Sequence, residues 1–521
     1  MDQSIVTDPS NTTTRDHHLS VATDTKKSWD IIVIGGGATG AGIALDAASR
    51  GYSVLLLESK DFGKGTSSRS TKLIHGGVRY LGQMQFGMVR ESLRERGVLR
   101  INAPHLVHEL EFIIPCKSRL DRLFYGAGLK LYDLLASGSK MPRSHQVTTS
   151  QLVYRMPGLA QGKFVGGVAY SDAQFDDTRL LIEIVRAAVD YCATILNYAP
   201  VEDLIKNERG KVLGVLFRDG EGGQSHQVHA QCIINATGPF CDAIRRLDQQ
   251  DVAPLVSASQ GIHLVLPKSY FESASALIVP KTSDGRVLFV IPWKDHVLVG
   301  TTDTPIDRIS EEPKPFPQEI EFLLQTLEEY CGRRPSPSEC LSVFAGIRPL
   351  AKGNKQQATK KLSRDHTIEV SGSGLVTITG GKWTTYRHMA EDCVDQVSKL
   401  AGLEFAPTRT QNIRLDRTQA DRERLTINDS TGNQNDVPIL KSLKISKNDL
   451  ICGVRFEFAR TVEDLLSRRT RALFLNVEAA KTLAPMAAGI LADELGRDET
   501  WKRAQIDAFH ELAKTYSPEL T

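Results

Sequence analysis

The chain has 521 residues, 41% of them hydrophobic and 24% charged, and a formal net charge of +2. That length exceeds what one compact core supports and points to two or three domains, while the near-balanced charge excludes a global attraction to nucleic acid. Eight scattered cysteines, with no C-x-x-C pair and no histidine cluster at metal spacing, argue against a metal site and fit a reduced cytoplasmic compartment.

Residues 1–28 are polar and rich in Thr, Ser and Asp. Acids interspersed with Arg15, Lys26 and Lys27, and no apolar run, match neither a secretory signal nor a mitochondrial presequence. This stretch is expected to be a disordered tail. No transmembrane helix is expected anywhere in the chain.

Residues 30–58 read DIIVIGGGATGAGIALDAASRGYSVLLLE. A buried strand runs into Gly35, Gly37 and Gly40 at G-x-G-x-x-G spacing, then an apolar helix, a second strand and Glu58. Gly35 permits the sharp turn, Gly37 lets a pyrophosphate approach the backbone, and Gly40 brings helix and strand together. The helix N-terminus meets phosphate charge with free N–H groups, and Glu58 is placed to accept from a ribose hydroxyl.

Next comes GKGTSSRSTKLIHGGVRYL, residues 63–81, whose small donors suit a phosphate and a ring system, or an ordinary loop. Residues 117–143 then carry Leu120, Leu123, Phe124, Ala127, Leu131, Leu134 and Leu135 on one helical face, bordered by Lys117, Arg119, Arg122, Lys130, Lys140 and Arg143. Two readings compete here: an amphipathic helix packed on the core, or a stripe that enters an anionic membrane surface.

A helix is expected over residues 179–192, and strands over 212–218 and 232–236, the latter ending in Thr237-Gly238-Pro239. Near-alternating strands over 261–267, 286–292 and 296–301 suit an antiparallel sheet. A further strand at 375–379 closes on Gly380-Gly381 and leads into a helix over 382–400. Beyond residue 406 the strand pattern stops, and helices are expected from 447 to 514.

One parallel nucleotide-binding half, interrupted by antiparallel strands and completed late by strand, Gly-Gly and helix, implies a flavoprotein rather than a nicotinamide enzyme. The expected class is α/β. A Rossmann-like FAD-binding domain interleaves with an antiparallel-sheet substrate domain over residues 29–405, and a helical cap follows over 406–521.

IGGGATGAGIALDAASRG, TSSRSTKLIHGGVRYL, INATGPF, FVIPW, VGTTD, GIRPL, SRDHT and GGKWTTYR occur in one order along residues 29–390. Together they closely resemble the FAD-dependent, quinone-linked glycerol-3-phosphate dehydrogenases, and VRFEFARTVEDLLSRRTR at 454–471 resembles that family's C-terminal domain. The resemblance implies a D-amino-acid-oxidase-like fold, sn-glycerol 3-phosphate as substrate, and electrons passed to a membrane quinone from the inner membrane face. It leaves a homodimer open. Two departures stand out: the N-terminal extension, and the lack of a D-x-D-x-D-G loop, so calcium control is not expected.

A dianionic phosphate needs convergent cations. Arg348, Arg364 and Lys382 are the candidates, which the resemblance also implicates, with Tyr80 as a donor to substrate oxygen. His263 resembles the family's active-site histidine and is expected to be the base. Noncovalent FAD is expected to be held by Gly35, Gly37, Gly40, Glu58, Thr66, Ser67, Ser68, Lys72, His75, Gly76, Gly77, Thr237, Gly238, Asp303, Gly381 and Thr384. An oxygen-using glycerol-phosphate oxidase, an amine oxidase and a non-catalytic flavin scaffold are the alternatives.

Overall fold

The computed structural model describes residues 14–136, 141–351, 366–417, 438–440 and 442–518. Two sheets dominate. In the first, strand β1 (Trp29–Ile34) pairs in parallel with β2 (Val54–Leu57) on one side and with Ser225–Asn235 on the other. Val376–Gly380 extends the sheet beyond Ser225–Asn235, and Thr194–Leu196 forms the edge beyond β2. Helix α2 (Ala38–Ser49) joins β1 to β2 and is buried along nearly its whole length. Covering both faces of a parallel sheet explains why β1 and β2 are runs of Val, Ile and Leu without polar alternation.

Among the described residues the second sheet has ten strands and is almost wholly antiparallel. It contains β3 (Leu73–Ile74), β4 (Val107–Pro115), Gly167–Phe175, Val256–Pro267, Leu288–Trp293, His296–Gly300 and Ser342–Ala351. The chain leaves the first sheet for the second twice and returns twice, so there are two antiparallel excursions rather than one insertion. The crossing from β2 to β3 lies on the seam between the sheets, where Thr66 Oγ1 donates to Ile347 O at 2.6 Å. Helix α3 (Phe86–Asn102) and helix α4 (Arg119–Leu135) belong to the first excursion.

Residues 408–417 run back across the nucleotide-binding half, where Leu415 N–H donates to Asn102 O at 2.8 Å. The helices Lys447–Arg455, Val477–Leu495 and Glu499–Lys514 then pack on the second sheet and share one apolar core with Trp293, Leu298 and Phe344. The polar stretch 429–436 lies outside the described residues.

The N-terminal stretch departs from expectation. Residues 15–22 form helix α1 (Arg15–Ala22), capped by Thr14 and docked on the sheet edge. Arg15 is buried, pairing with Asp219 at 2.6 Å and donating to Asn197 O at 3.1 Å. His18 Nδ1 accepts from Ile195 N–H at 3.2 Å. Edge backbone and a buried carboxylate supply partners that a polar sequence does not reveal.

Burial, followed by the nearby His17, lowers the His18 pKa from 6.5 to about 4. The unfolded state therefore binds the proton first as pH falls. His18's contribution is fully present above pH 6.5 and is lost towards pH 4, about 3 kcal/mol in all. Hydrogen exchange corrected for intrinsic rates should show residues 15–22 losing protection between pH 7 and 5. Equal protection at both values would contradict this.

Candidate active site

The glycine turn is built for close approach. Gly35 has φ +108, and a Cβ there would lie 2.7 Å from Ala236 O. A Cβ on Gly40 would overlap the Gly35 carbonyl, so Gly40 serves the strand–helix packing. The Glu58 carboxylate accepts from Gly36 N–H at 2.6 Å and Lys60 N–H at 2.9 Å. Burial raises its pKa, and those N–H bonds oppose the rise. Ser67 Oγ accepts from Ala38 N–H at 2.9 Å, at the start of α2.

A groove runs from Glu58 past Gly35 and Gly37 to Thr66, Ser67, Thr237, Gly238, Gly381 and Lys382. Its donor set fits FAD. Glu58 would meet a ribose hydroxyl, the α2 N-terminus and glycines without Cβ would meet the diphosphate, and Lys382 adds a cation beside Gly381. Lys60, Lys64, Phe240 and Trp383 also line it.

Other expected cofactor residues lie behind or beside this groove. Lys72 is fully buried, its ammonium 2.6 Å from Asp177 and donating to Ser68 O and Ser70 O at 2.9 and 3.0 Å. Burial lowers its pKa to about 7, against the pull of Asp177. With three acceptors spent inside the protein, Lys72 supports the loop rather than the cofactor. Asp303 pairs with Arg348 at 3.2 Å and is not among the residues that line the groove. His75 N–H donates to Thr384 Oγ1 at 3.3 Å, and Gly76 N–H to the Tyr132 hydroxyl at 2.9 Å. Gly77 adopts φ +76 and opens the turn Val78–Gln83. These residues form the seam next to the groove.

Lys382 Nζ sits 4.2 Å from the centre of the Tyr80 ring and 3.4 Å from Ser92 Oγ. Tyr80 is buried beneath it, a cation–π platform. The helix expected from residue 382 starts later. Gly380 and Gly381 have φ +81 and +72 and Lys382 is extended, so a 3₁₀ turn, Trp383–Thr385, precedes the α-helix Tyr386–Ala401. Arg348 lies within the strand Ser342–Ala351. It donates to Thr301 Oγ1 at 2.8 Å and Thr302 O at 2.9 Å, and its neighbour Pro349 lines the groove. Arg364 lies outside the described residues.

His263 is 2% exposed and stacks on Phe344 with ring centres 5.0 Å apart. Its Nε2 lies 3.0 Å from Thr71 Oγ1. Burial, then the charges of Lys72 and Arg348, hold its pKa well below the usual value. Neither His263 nor His75 is among the residues that line the groove. His75 is only half-buried.

Three features escaped the sequence reading. Trp383 Nε1 donates to Ser67 O at 2.9 Å, tying the late helix to the early loop. Arg468 and Arg469 both engage the buried Asp61, and Arg471 reaches Ser68. The tryptophan was visible in GGKWTTYR and the arginines in SRRTR, but their partners lie hundreds of residues away.

Residues 30–387 match the FAD dependent oxidoreductase family, and residues 409–502 the C-terminal domain of alpha-glycerophosphate oxidase. The mitochondrial glycerol-3-phosphate dehydrogenase of Homo sapiens is 37% identical over 95% of this chain and 75% of its own length. A probable mitochondrial glycerol-3-phosphate dehydrogenase of Dictyostelium discoideum is 36% identical over 93% of this chain and 84% of its own. The glycerol-3-phosphate dehydrogenase of Bacillus halodurans, solved with FAD, superposes with a TM-score of 0.78 at 28% identity, covering 98% of this chain and 99% of that one. With its nucleotide groove, its interleaved sheets and these relatives, the chain belongs to the FAD-dependent glycerol-3-phosphate dehydrogenase family.

Proposed function

We propose that the protein oxidises sn-glycerol 3-phosphate to dihydroxyacetone phosphate and passes the electrons to a membrane quinone. FAD held along the groove from Glu58 to Gly381 would supply the acceptor for the C2 hydride and the carrier of the two electrons. Arg348 and Lys382 hold the phosphate, Arg348 as a planar fork and Lys382 as a point charge. Asp303 fixes the fork's orientation and Tyr80 supports the ammonium.

The hydroxyl proton goes to His75 rather than to His263. His75 is half-buried on the seam, bonded through its backbone to the residue two beyond Lys382, whereas His263 is enclosed, with Nε2 3.0 Å from Thr71 Oγ1. His75→Asn should lower kcat by roughly a hundredfold or more and remove the acid limb of the kcat/KM profile. His263→Asn should keep that limb. The reverse pattern would return the base to His263.

The observation that carries the quinone reading is the outer face of α4. Leu120, Leu123, Phe124 and Leu134 are 77%, 67%, 75% and 68% exposed, while the helix is anchored through buried Leu129 and Tyr132. The apolar stripe therefore faces outward, contrary to a core-packed helix. On its inner side Tyr132 accepts from Gly76 N–H, one residue from His75. On this reading the docking helix backs onto the segment that carries His75 and Gly76. No helix among the described residues is long and apolar enough to cross a membrane. Peripheral attachment through this stripe and the basic residues around it supplies access to a bilayer quinone. All eight cysteines are free, in keeping with attachment on a cytoplasmic face.

A further inference from the structure

The loop that lines the cofactor groove has a back as well as a front. Residues Gly63, Lys64, Gly65, Thr66 and Ser67 face the groove. Ser68 is 1% exposed, and its carbonyl is directed away, into the protein. Two cations converge on that oxygen, Lys72 Nζ at 2.9 Å and Arg471 Nη2 at 2.9 Å.

Arg471 belongs to the C-terminal domain. It is fully buried and stands at φ +67, at the N-cap of Ala472–Leu475. A non-glycine residue keeps that left-handed conformation when its surroundings over-determine it. Here they do. The guanidinium donates to Thr178 Oγ1 at 2.7 Å and Ser467 O at 3.2 Å, and lies 3.3 Å from Asp177, the partner of Lys72. The preceding π-helical turn, Asp464–Arg469, sends two more arginines to the same loop. Arg469 grips both oxygens of Asp61 at 2.7 Å, and Arg468 Nε reaches that carboxylate as well. Asp61 is three residues beyond Glu58.

We propose that Arg468, Arg469 and Arg471 make the C-terminal domain a clamp on the cofactor loop, setting FAD affinity and the flavin's surroundings without touching the cofactor. The coupling runs through one peptide. Ser67, immediately before the clamped Ser68, holds the first turn of α2 through Ala38 N–H and receives Trp383 Nε1 on its own carbonyl. Letting Ser68 shift therefore moves both the phosphate-facing end of the groove and the Trp383 side of it. The arginines are positioning residues, and removing one should loosen FAD rather than merely lower overall stability.

The test uses full-length holoenzymes of Arg471→Met, Arg471→Lys and Thr178→Val. Arg455→Met serves as a control, since it removes an exposed pair with Glu494 inside the C-terminal domain. FAD dissociation is followed by flavin fluorescence on dilution, the ring's surroundings by visible circular dichroism, and stability by thermal unfolding of the apoprotein. Arg471→Met should weaken FAD binding roughly tenfold or more, the loss of at least one charge-assisted bond. It should also change the flavin dichroism. Arg471→Lys, which can still donate to Ser68 O, should recover part of both. Thr178→Val, which removes one acceptor at nearly constant shape, should move both in the same direction, and Arg455→Met should move neither.

An Arg471 variant that unfolds at lower temperature but keeps wild-type FAD affinity and dichroism overturns the clamp. If neither Arg471 variant accumulates, Thr178→Val decides. Unchanged FAD affinity in that variant is the overturning result, and weakened affinity with altered dichroism is the supporting one.

Discussion

Replacing Arg348 with alanine is expected to lower kcat/KM toward glycerol 3-phosphate by roughly a hundredfold or more, the equivalent of about 2–4 kcal/mol. Two effects add. The substitution removes the planar donor proposed to hold the phosphate. It also uncovers the Asp303 carboxylate, now 3.2 Å behind the guanidinium, so a negative charge would face the dianion. Arg348→Lys should recover only part, because an ammonium restores charge without the fork that Thr301, Thr302 and Asp303 orient. Glycerol and glyceraldehyde, which carry no phosphate, should lose much less. Steady-state kinetics on both substrate types provide the check, and equal losses would make Arg348 a structural residue.

The second large effect is expected on the outer face of α4. Leu123→Glu with Phe124→Glu should leave FAD content and dye-linked activity near wild type while abolishing binding to anionic liposomes and reduction of a bilayer quinone. Withdrawing two such side chains from the acyl boundary costs roughly 2 kcal/mol each, so partitioning should fall by about a thousandfold before the added charges count. The fold should tolerate the change, because both side chains are more than two-thirds exposed. Flotation and quinone assays run side by side decide it. A double variant that still floats and still reduces the quinone would place docking elsewhere. Rapid reoxidation of wild-type flavin by dissolved oxygen, with no preference for a soluble quinone, would favour an oxidase.

Local chemistry was legible in the sequence wherever one short segment carried the whole requirement. The turn from β1 through Gly35, Gly37 and Gly40 into α2 needs only its own backbone, and Glu58 follows at fixed reach. The strand over residues 212–218 was likewise readable, because its apolar residues record a local burial pattern. What stayed hidden depended on partners distant in the chain. Lys72 reads as a cation in a polar loop, and only the fold supplies Asp177, 105 residues later, to take it inward. Arg15 and His18 read as tail residues until Asp219 and the edge strand at Ile195 meet them. Periodicity identified α4 correctly as one amphipathic helix, yet spacing says nothing about which face looks outward. His263 reads as the base from resemblance alone, and only the fold shows that Phe344, Thr71 and two neighbouring cations enclose it.

Anaerobic stopped-flow absorbance of the purified holoenzyme tests most directly whether this protein uses FAD to oxidise glycerol 3-phosphate. The protein should be yellow and release FAD on denaturation, and its visible flavin bands should bleach on mixing with glycerol 3-phosphate. The rate should saturate with substrate, and glycerol at the same concentration should give little bleaching. Flavin that stays oxidised in the presence of saturating glycerol 3-phosphate, or a colourless protein that takes up no FAD, would contradict it.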